Sequence, residues 1–224
     1  MSKLLRIRLA VLSVASLCLV LVVGTEANAA LIGLTSQPPD ITAFFISVNY
    51  DATTDALTAN GFATNLDLDG VAPPDYSITA PRAFTISATV DSSGVASGGT
   101  LVINGTVPAV GAVSGTLLTG TLTQFGYSTT PGGEIFEFVF TVEDDDGDLA
   151  SSFKPLAGVI LDAIDTGFGG SFTSDFSNSG FGNADTFPVP EPATLSLLLL
   201  GGTAIACRRI RRSRARGARA SQAE

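Results

Sequence analysis

The sequence predicts an all-β domain, an antiparallel β-sandwich or jelly-roll-like fold, flanked by an apolar helix at each end. Three observations predict it. Apolar and polar residues alternate with period two through most of residues 30–188, the pattern of strands with one face on a core. Turn-forming clusters recur every 8–12 residues. No stretch of this region carries a sustained helical period, except that residues 149–164 suggest a short helix preceding or interrupting a strand.

The elements follow in order. Residues 1–8 hold Lys3, Arg6 and Arg8, and residues 9–23 are apolar throughout. Ala27 and Ala29 supply small residues at the −3 and −1 positions of a cleavage site, so residues 1–29 form a signal peptide helix, cut after Ala29 by signal peptidase once the general secretion machinery has engaged it. In residues 42–50, Phe44, Ile46, Val48 and Tyr50 share one face. Residues 51–55 make a short hairpin loop to a second strand at 57–63. The run 72–75, with Pro73 and Pro74, breaks the pattern as a loop. Phe84, Ile86, Ala88 and Val90 alternate with polar partners, and Asp91-Ser92-Ser93-Gly94 closes a hairpin with Gly94 at positive φ. Residues 100–107 and 115–125 are further strands. Asn104-Gly105 is a hairpin signal, but the alternation of Leu101, Ile103 and Val107 runs through it and favours a continuous strand. Phe136, Phe138, Phe140 and Val142 form the next inward face. Residues 167–188, rich in Gly, Ser, Asn and Phe, read as irregular loop, edge strand or partly linker, with Phe168, Phe172, Phe176 and Phe181 covering the edge of the core.

Composition narrows the chemistry. Residues 30–188 contain two basic residues, Arg82 and Lys154, against 18 Asp and Glu, a net charge of −16. Such a domain repels nucleic acid and anionic lipid. It has no His, Trp or Cys, which excludes Ser-His-Asp and Cys-His catalysis and His-ligated zinc, and leaves an exported domain without disulfides. Carboxylate-only glycoside hydrolysis needs just two Asp or Glu, but no spacing singles out a pair, so the domain reads as non-enzymatic. Two acidic segments are candidate Ca2+ loops. Asn65, Asp67 and Asp69 place oxygen ligands at alternate positions before Gly70, the opening half of a calcium loop. Its twelfth position is Tyr76 instead of Glu, with Asp75 one residue earlier; the alternative is an acidic turn with Leu66 and Leu68 pointing inward. Asp144, Asp146 and Asp148 belong to a run of five carboxylates in six residues, a cation site or a solvated hairpin tip.

The C-terminal segment has three parts. Val189-Pro190-Glu191-Pro192 is rigid and extended. Residues 193–207 are uncharged and, as a transmembrane helix of 15 residues, span about 22 Å, with flanking arginines closing part of the gap to a ~30 Å core. Arg208, Arg209, Arg211 and Arg212 form a stop-transfer cluster that stays cytoplasmic, and residues 215–224 are a disordered basic tail. Together, residues 189–214 resemble the PEP-CTERM sorting signal of Gram-negative bacteria. The resemblance implies that Pro190, Glu191 and Pro192 are recognised by an exosortase, a membrane-embedded transpeptidase-like enzyme. It further implies that the chain is anchored transiently in the inner membrane, loses its tail and reaches the cell surface or exopolysaccharide matrix. The expectation is a structural or adhesive surface component, with a calcium-dependent polysaccharide-binding module as the alternative.

Overall fold

A computed structural model of the chain describes residues 30–190. The expected signal peptide with its cleavage residues Ala27 and Ala29, the motif residues Glu191 and Pro192, the arginine cluster and the helices expected at both ends fall on residues outside those described. Among the described residues no helix is long and apolar enough to cross a membrane.

The strands are β1 (Asp40–Asp51), β2 (Ala56–Asp67), β3 (Tyr76–Ser77), β4 (Ala83–Val90), β5 (Ala96–Val107), β6 (Ala112–Thr130), β7 (Gly133–Thr141), β8 (Leu156–Ala163), β9 (Phe176–Ser177) and β10 (Gly182–Pro188), with a one-turn helix α1 (Ala150–Phe153) before β8. The all-β, antiparallel expectation holds, but the architecture differs from a sandwich or jelly roll. Eight staves pair in the cyclic order β1-β2-β4-β5-β6-β7-β8-β10 and back to β1, a closed barrel without a free edge among its main strands. Period-two alternation is common to barrels and sandwiches, so the sequence pattern does not separate them. The closing stave is β10, which pairs with β8 on one side and β1 on the other. Its inward positions include the small Ala184 and Thr186, both fully buried, which give little hydrophobic signal. Residues 182–188, read as partly linker, are therefore barrel wall.

Most inward faces are those the alternation marks. Phe84, Ile86, Ala88 and Val90, and Phe136, Phe138, Phe140 and Val142, are all buried. β5 runs unbroken through Asn104-Gly105, and Gly94 closes the β4–β5 hairpin at φ +82°. β1 departs from its expected face. Phe45 occupies a β-bulge at φ +56°, so the inward set is Ile41 and Ala43 before the bulge and Ile46, Val48 and Tyr50 after it, while Phe44 points outward. The bulge is accommodated by glycine on both neighbouring strands. A Cβ on Gly61 would lie 2.6 Å from Ile46 Cγ1 and 2.9 Å from the Phe44 carbonyl, and one on Gly182 would lie 2.9 Å from the Ile46 carbonyl.

Both barrel ends are plugged. At one end the loop before β9 folds in Phe168 and Phe172, and β9 itself adds Phe176; the three rings pack against Tyr50, Phe125, Tyr127 and Phe136. The Tyr50 hydroxyl donates to the carbonyls of Val90 (2.9 Å) or Phe172 (3.1 Å). Phe181, expected with this cluster, instead stands 63% exposed. At the other end the β7–β8 connection inserts Leu149, Ala150 and Phe153, and Pro155 follows α1 where a helix cannot continue.

Residues 30–39 form a strap across the outside of the barrel. Glu137, on the outward face of β7 yet only 4% exposed, accepts the backbone N–H groups of Gly33 (2.8 Å) and Leu34 (3.1 Å). Two glycines make room: a Cβ on Gly126 would lie 2.6 Å from the Ala30 carbonyl, and one on Gly158 3.3 Å from Leu34 Cδ1 and 2.7 Å from Val189 Cγ2. Val139 and Phe187 are buried on this outward face, giving a small second core outside the barrel.

Candidate functional site

Strand directions collect the candidate residues at one end of the barrel. β1 starts and β10 finishes there, and so do the β2–β3 and β7–β8 connections. The exit of the chain is held by two hydrogen bonds. Gln37 Nε2 of the strap donates to the Pro188 carbonyl (2.7 Å), and the Val189 N–H donates to the Leu156 carbonyl (2.8 Å). Val189 is half-buried and Pro190 is exposed. The barrel therefore grips the chain up to Val189 and presents Pro190 to solvent.

Of the two acidic loops, the first assembles three carboxylates. Oxygens of Asp67, Asp69 and Asp75 lie within 4.8 Å of one another. Asp67 Oδ1 accepts the N–H groups of Asp69 (3.1 Å) and Gly70 (2.7 Å), Asp69 Oδ1 that of Val71 (2.8 Å), and Asp75 Oδ2 that of Leu68 (2.7 Å). The turn so formed leaves Leu66 buried but Leu68 40% exposed, against the expectation that both point inward. Asn65, the first residue of the expected loop, pairs with Ser77 across β2–β3, and its Nδ2 donates to Thr64 Oγ1.

The second loop disperses its carboxylates. Asp146 accepts the Thr119 hydroxyl (2.7 Å) and the Glu143 N–H (2.7 Å). Asp148 accepts the Ser114 N–H (2.7 Å), which holds its carboxyl below the ordinary range. Asp144 forms an ion pair with Lys154. These side chains fasten the β7–β8 connection to β6 and do not converge on one point.

The sequence did not announce a third acidic group. Asp40 faces Asp67 across β1–β2, and Asp185 sits on the neighbouring strand beside the Asp40 end of β1. Burial, then the charges of Asp185 and Asp67, push the Asp40 carboxyl up to about 6, against a smaller lowering by the Ser36 hydroxyl. Burial and the charge of Asp162 raise Asp185 as well. Only the strand register creates these pairings, and no local pattern signals it.

Two surface concavities lie elsewhere among the described residues. A groove of about 590 Å³ between the strap and strands β5 and β6 is lined by Ala30, Ile32, Val95, Leu122 and Phe125 among others, with no ionisable side chain in its wall. A shallower one of about 550 Å³ beside Tyr50 and Phe176 contains Asp51 and Asp175. Asp51 Oδ1 accepts the N–H groups of Thr53 and Thr54, which lower its pKa, and Asp175 Oδ1 accepts that of Ala52. Both carboxylates are engaged in shaping the β1–β2 turn.

A family model described as the PEP-CTERM protein-sorting motif matches residues 188–212. The tail is a PEP-CTERM sorting signal. The match begins at Pro188, the last residue of β10, so the PEP-CTERM segment follows the barrel wall without a spacer. It supports an exported protein that an exosortase processes and that reaches the cell surface. No curated protein and no solved structure matches the chain.

Proposed function

We propose that this chain is a non-enzymatic structural or adhesive component of the cell surface or exopolysaccharide matrix, delivered by the exosortase route. The signal peptide at 1–29 starts export, and the apolar segment at 193–207 with Arg208, Arg209, Arg211 and Arg212 holds the chain in the inner membrane until the tail is removed. The observation that carries the reading is the junction: the sorting motif starts at the last residue of a closed barrel. The barrel has its own core and both ends plugged, so loss of everything beyond Pro190 leaves it whole. The absence of His and Cys from residues 30–188 and the backbone-bonded state of Asp51 and Asp175 support a non-enzymatic role. The test replaces Pro190, Glu191 and Pro192 by Ala in the host. The expected result is a protein that keeps its tail by intact mass and stays in the inner membrane, while the parent chain is shortened and released only when the exosortase is present. Release of the triple variant at the parental rate refutes the reading.

A second reading, a calcium-responsive loop at the exit end of the barrel, is favoured by the convergence of Asp67, Asp69 and Asp75. Oxygen-rich loops of this kind take Ca2+ at affinities set by ligand charge and rigidity, and a cation bound only to the folded state raises Tm. Millimolar Ca2+ is expected to raise Tm over chelator at matched ionic strength, and Asp69→Asn to abolish the rise. An unchanged midpoint removes this reading and leaves the sorting route untouched.

A further inference from the structure

The root of the sorting signal is itself part of the barrel. The family match begins at Pro188, the last residue of β10, and the Val189 N–H is bonded to the Leu156 carbonyl. Two residues of the matched segment are therefore held in the wall. Four peptide units separate Val189 from Ala193, where the apolar segment begins, a reach of at most about 14 Å at ~3.5 Å each. A single protein layer is ~10 Å thick. With the barrel closed as far as Val189, at most one such layer of an enzyme fits between its rim and a membrane that holds the apolar segment.

The end of β10 is weakly joined to its neighbours. Its pairing with β1 stops at Thr186, so Phe187 and Pro188 are laddered to β8 alone, and Pro188 has no N–H to donate. Thr186 faces inward between Ile41 and Val159 and is fully buried. Its hydroxyl has no hydrogen-bond partner among the described residues, a cost that the closed strand carries and an opened one does not. Asp185 lies diagonally across from Asp40 on β1 and from Asp162 on β8, like charges that oppose pairing on both sides. Against these stand the ladder to β8, the buried Phe187 ring and the bond from Gln37 Nε2 of the strap to the Pro188 carbonyl.

We propose, on the exosortase reading above, that residues 184–189 of the closing stave peel from β8 and β1 to form the state in which the exosortase takes its substrate, with Gln37 as the latch. Six freed residues add about 20 Å at ~3.4 Å each, so that the motif can stand inside a cleft with protein on both sides. The peeled strand carries only small side chains from the barrel interior, Ala184 and Thr186. Openings of this kind cost less than global unfolding, and an enzyme that takes only the open form acts at a rate reduced by the fraction open. After cleavage the strand returns to its place and the barrel is whole.

A crosslink across the ladder tests the proposal. Ile160 is the β8 partner of Asp185, and Cα atoms paired in this way lie ~4.5–5.5 Å apart, within reach of a disulfide. Ile160→Cys/Asp185→Cys is made in a Cys207→Ser background and followed by pulse–chase in the host, its oxidation read from intact mass after thiol alkylation. The Cys207→Ser parent is expected to lose its tail. The oxidised pair is expected to lose it at least ~10-fold more slowly than the Asp185→Cys chain, and dithiothreitol to restore the rate of that chain, which shows that the pair folds. Thr186→Val, which replaces the orphaned hydroxyl by a methyl group out of the enzyme's reach in the closed barrel, is expected to slow tail removal about 3-fold by stabilising the closed strand. An oxidised pair shortened as fast as the Asp185→Cys chain overturns the proposal alone, and so does a Thr186→Val chain shortened at the parental rate or faster. A parent that keeps its tail in the presence of the exosortase refutes the sorting reading, and the proposal with it.

Discussion

Asp40 opens β1 with its carboxyl half-buried, opposite Asp67 and near Asp185. The structure keeps that carboxyl protonated up to a pKa of about 6, against an ordinary 3.8. The sign follows from proton binding. Between those two values the folded chain holds more protons than the unfolded chain, so stability falls as pH rises through this window. Above pH ~6 the native state carries a charge that its surroundings oppose; below the ordinary value both states are protonated and the opposition is gone. Asp40→Asn removes the charge and keeps the shape. It is expected to raise Tm at pH 8 by about 2–4 °C, the equivalent of about 1 kcal/mol in a domain of this size once solvent screening is allowed for. The gain should vanish at pH 4. Melting curves of parent and variant at the two pH values decide it, and an equal gain at both would assign the effect to packing.

At the scale of elements, the sequence reveals those whose signal is local. β4 and β7 show their inward faces because every second residue is large and apolar, with nothing interrupting the period. The turns at 51–55 and 91–94 are likewise local, set by Asp side chains that accept the N–H groups two and more residues on. β1 misleads at Phe44, since a single bulge residue moves every earlier side chain to the opposite face, and the glycines that permit the bulge lie on other strands. β10 is hidden because Gly182, Ala184 and Thr186 bury little area, although their burial is complete or nearly so. Missing this one stave is what separates an open sandwich from a closed barrel. The same division applies to the site. Pro190-Glu191-Pro192 is legible because a sorting enzyme reads a linear segment. The Asp67, Asp69 and Asp75 group is half legible, with its third member displaced from the expected twelfth position. The Asp40–Asp67 pairing and the Glu137 anchorage are invisible in the sequence, because they join residues far apart in the chain. Glu137 binds N–H groups more than 100 positions away.

For the whole molecule, the strap couples the start of the described chain to its exit. It lies on β7 through Glu137, passes Gly126 and Gly158, and holds the Pro188 carbonyl through Gln37 before entering β1. The last residues before the sorting motif therefore depend on residues 30–39. Glu137→Ala leaves the Gly33 and Leu34 N–H groups without their carboxylate and opens a void under the strap. Hydrogen bonds to a charged acceptor contribute about 1.5–3 kcal/mol, less where water can replace them. A net loss of about 2 kcal/mol is expected, or a Tm lower by about 4–8 °C. Gly126→Val should act alike by a different route, because its side chain would strike the Ala30 carbonyl and lift the strap. The decisive readout is hydrogen exchange at the Val189 amide, whose bond to Leu156 closes the barrel's grip on the tail. In both variants that amide should exchange faster than in the parent, while amides in the middle of β4 and β5 keep their protection relative to the new global stability. Faster exchange at Val189 without global unfolding would show that the strap sets how firmly the barrel holds the root of the sorting signal. Unchanged exchange there in a destabilised Glu137→Ala variant would show that the two termini are neighbours without being coupled.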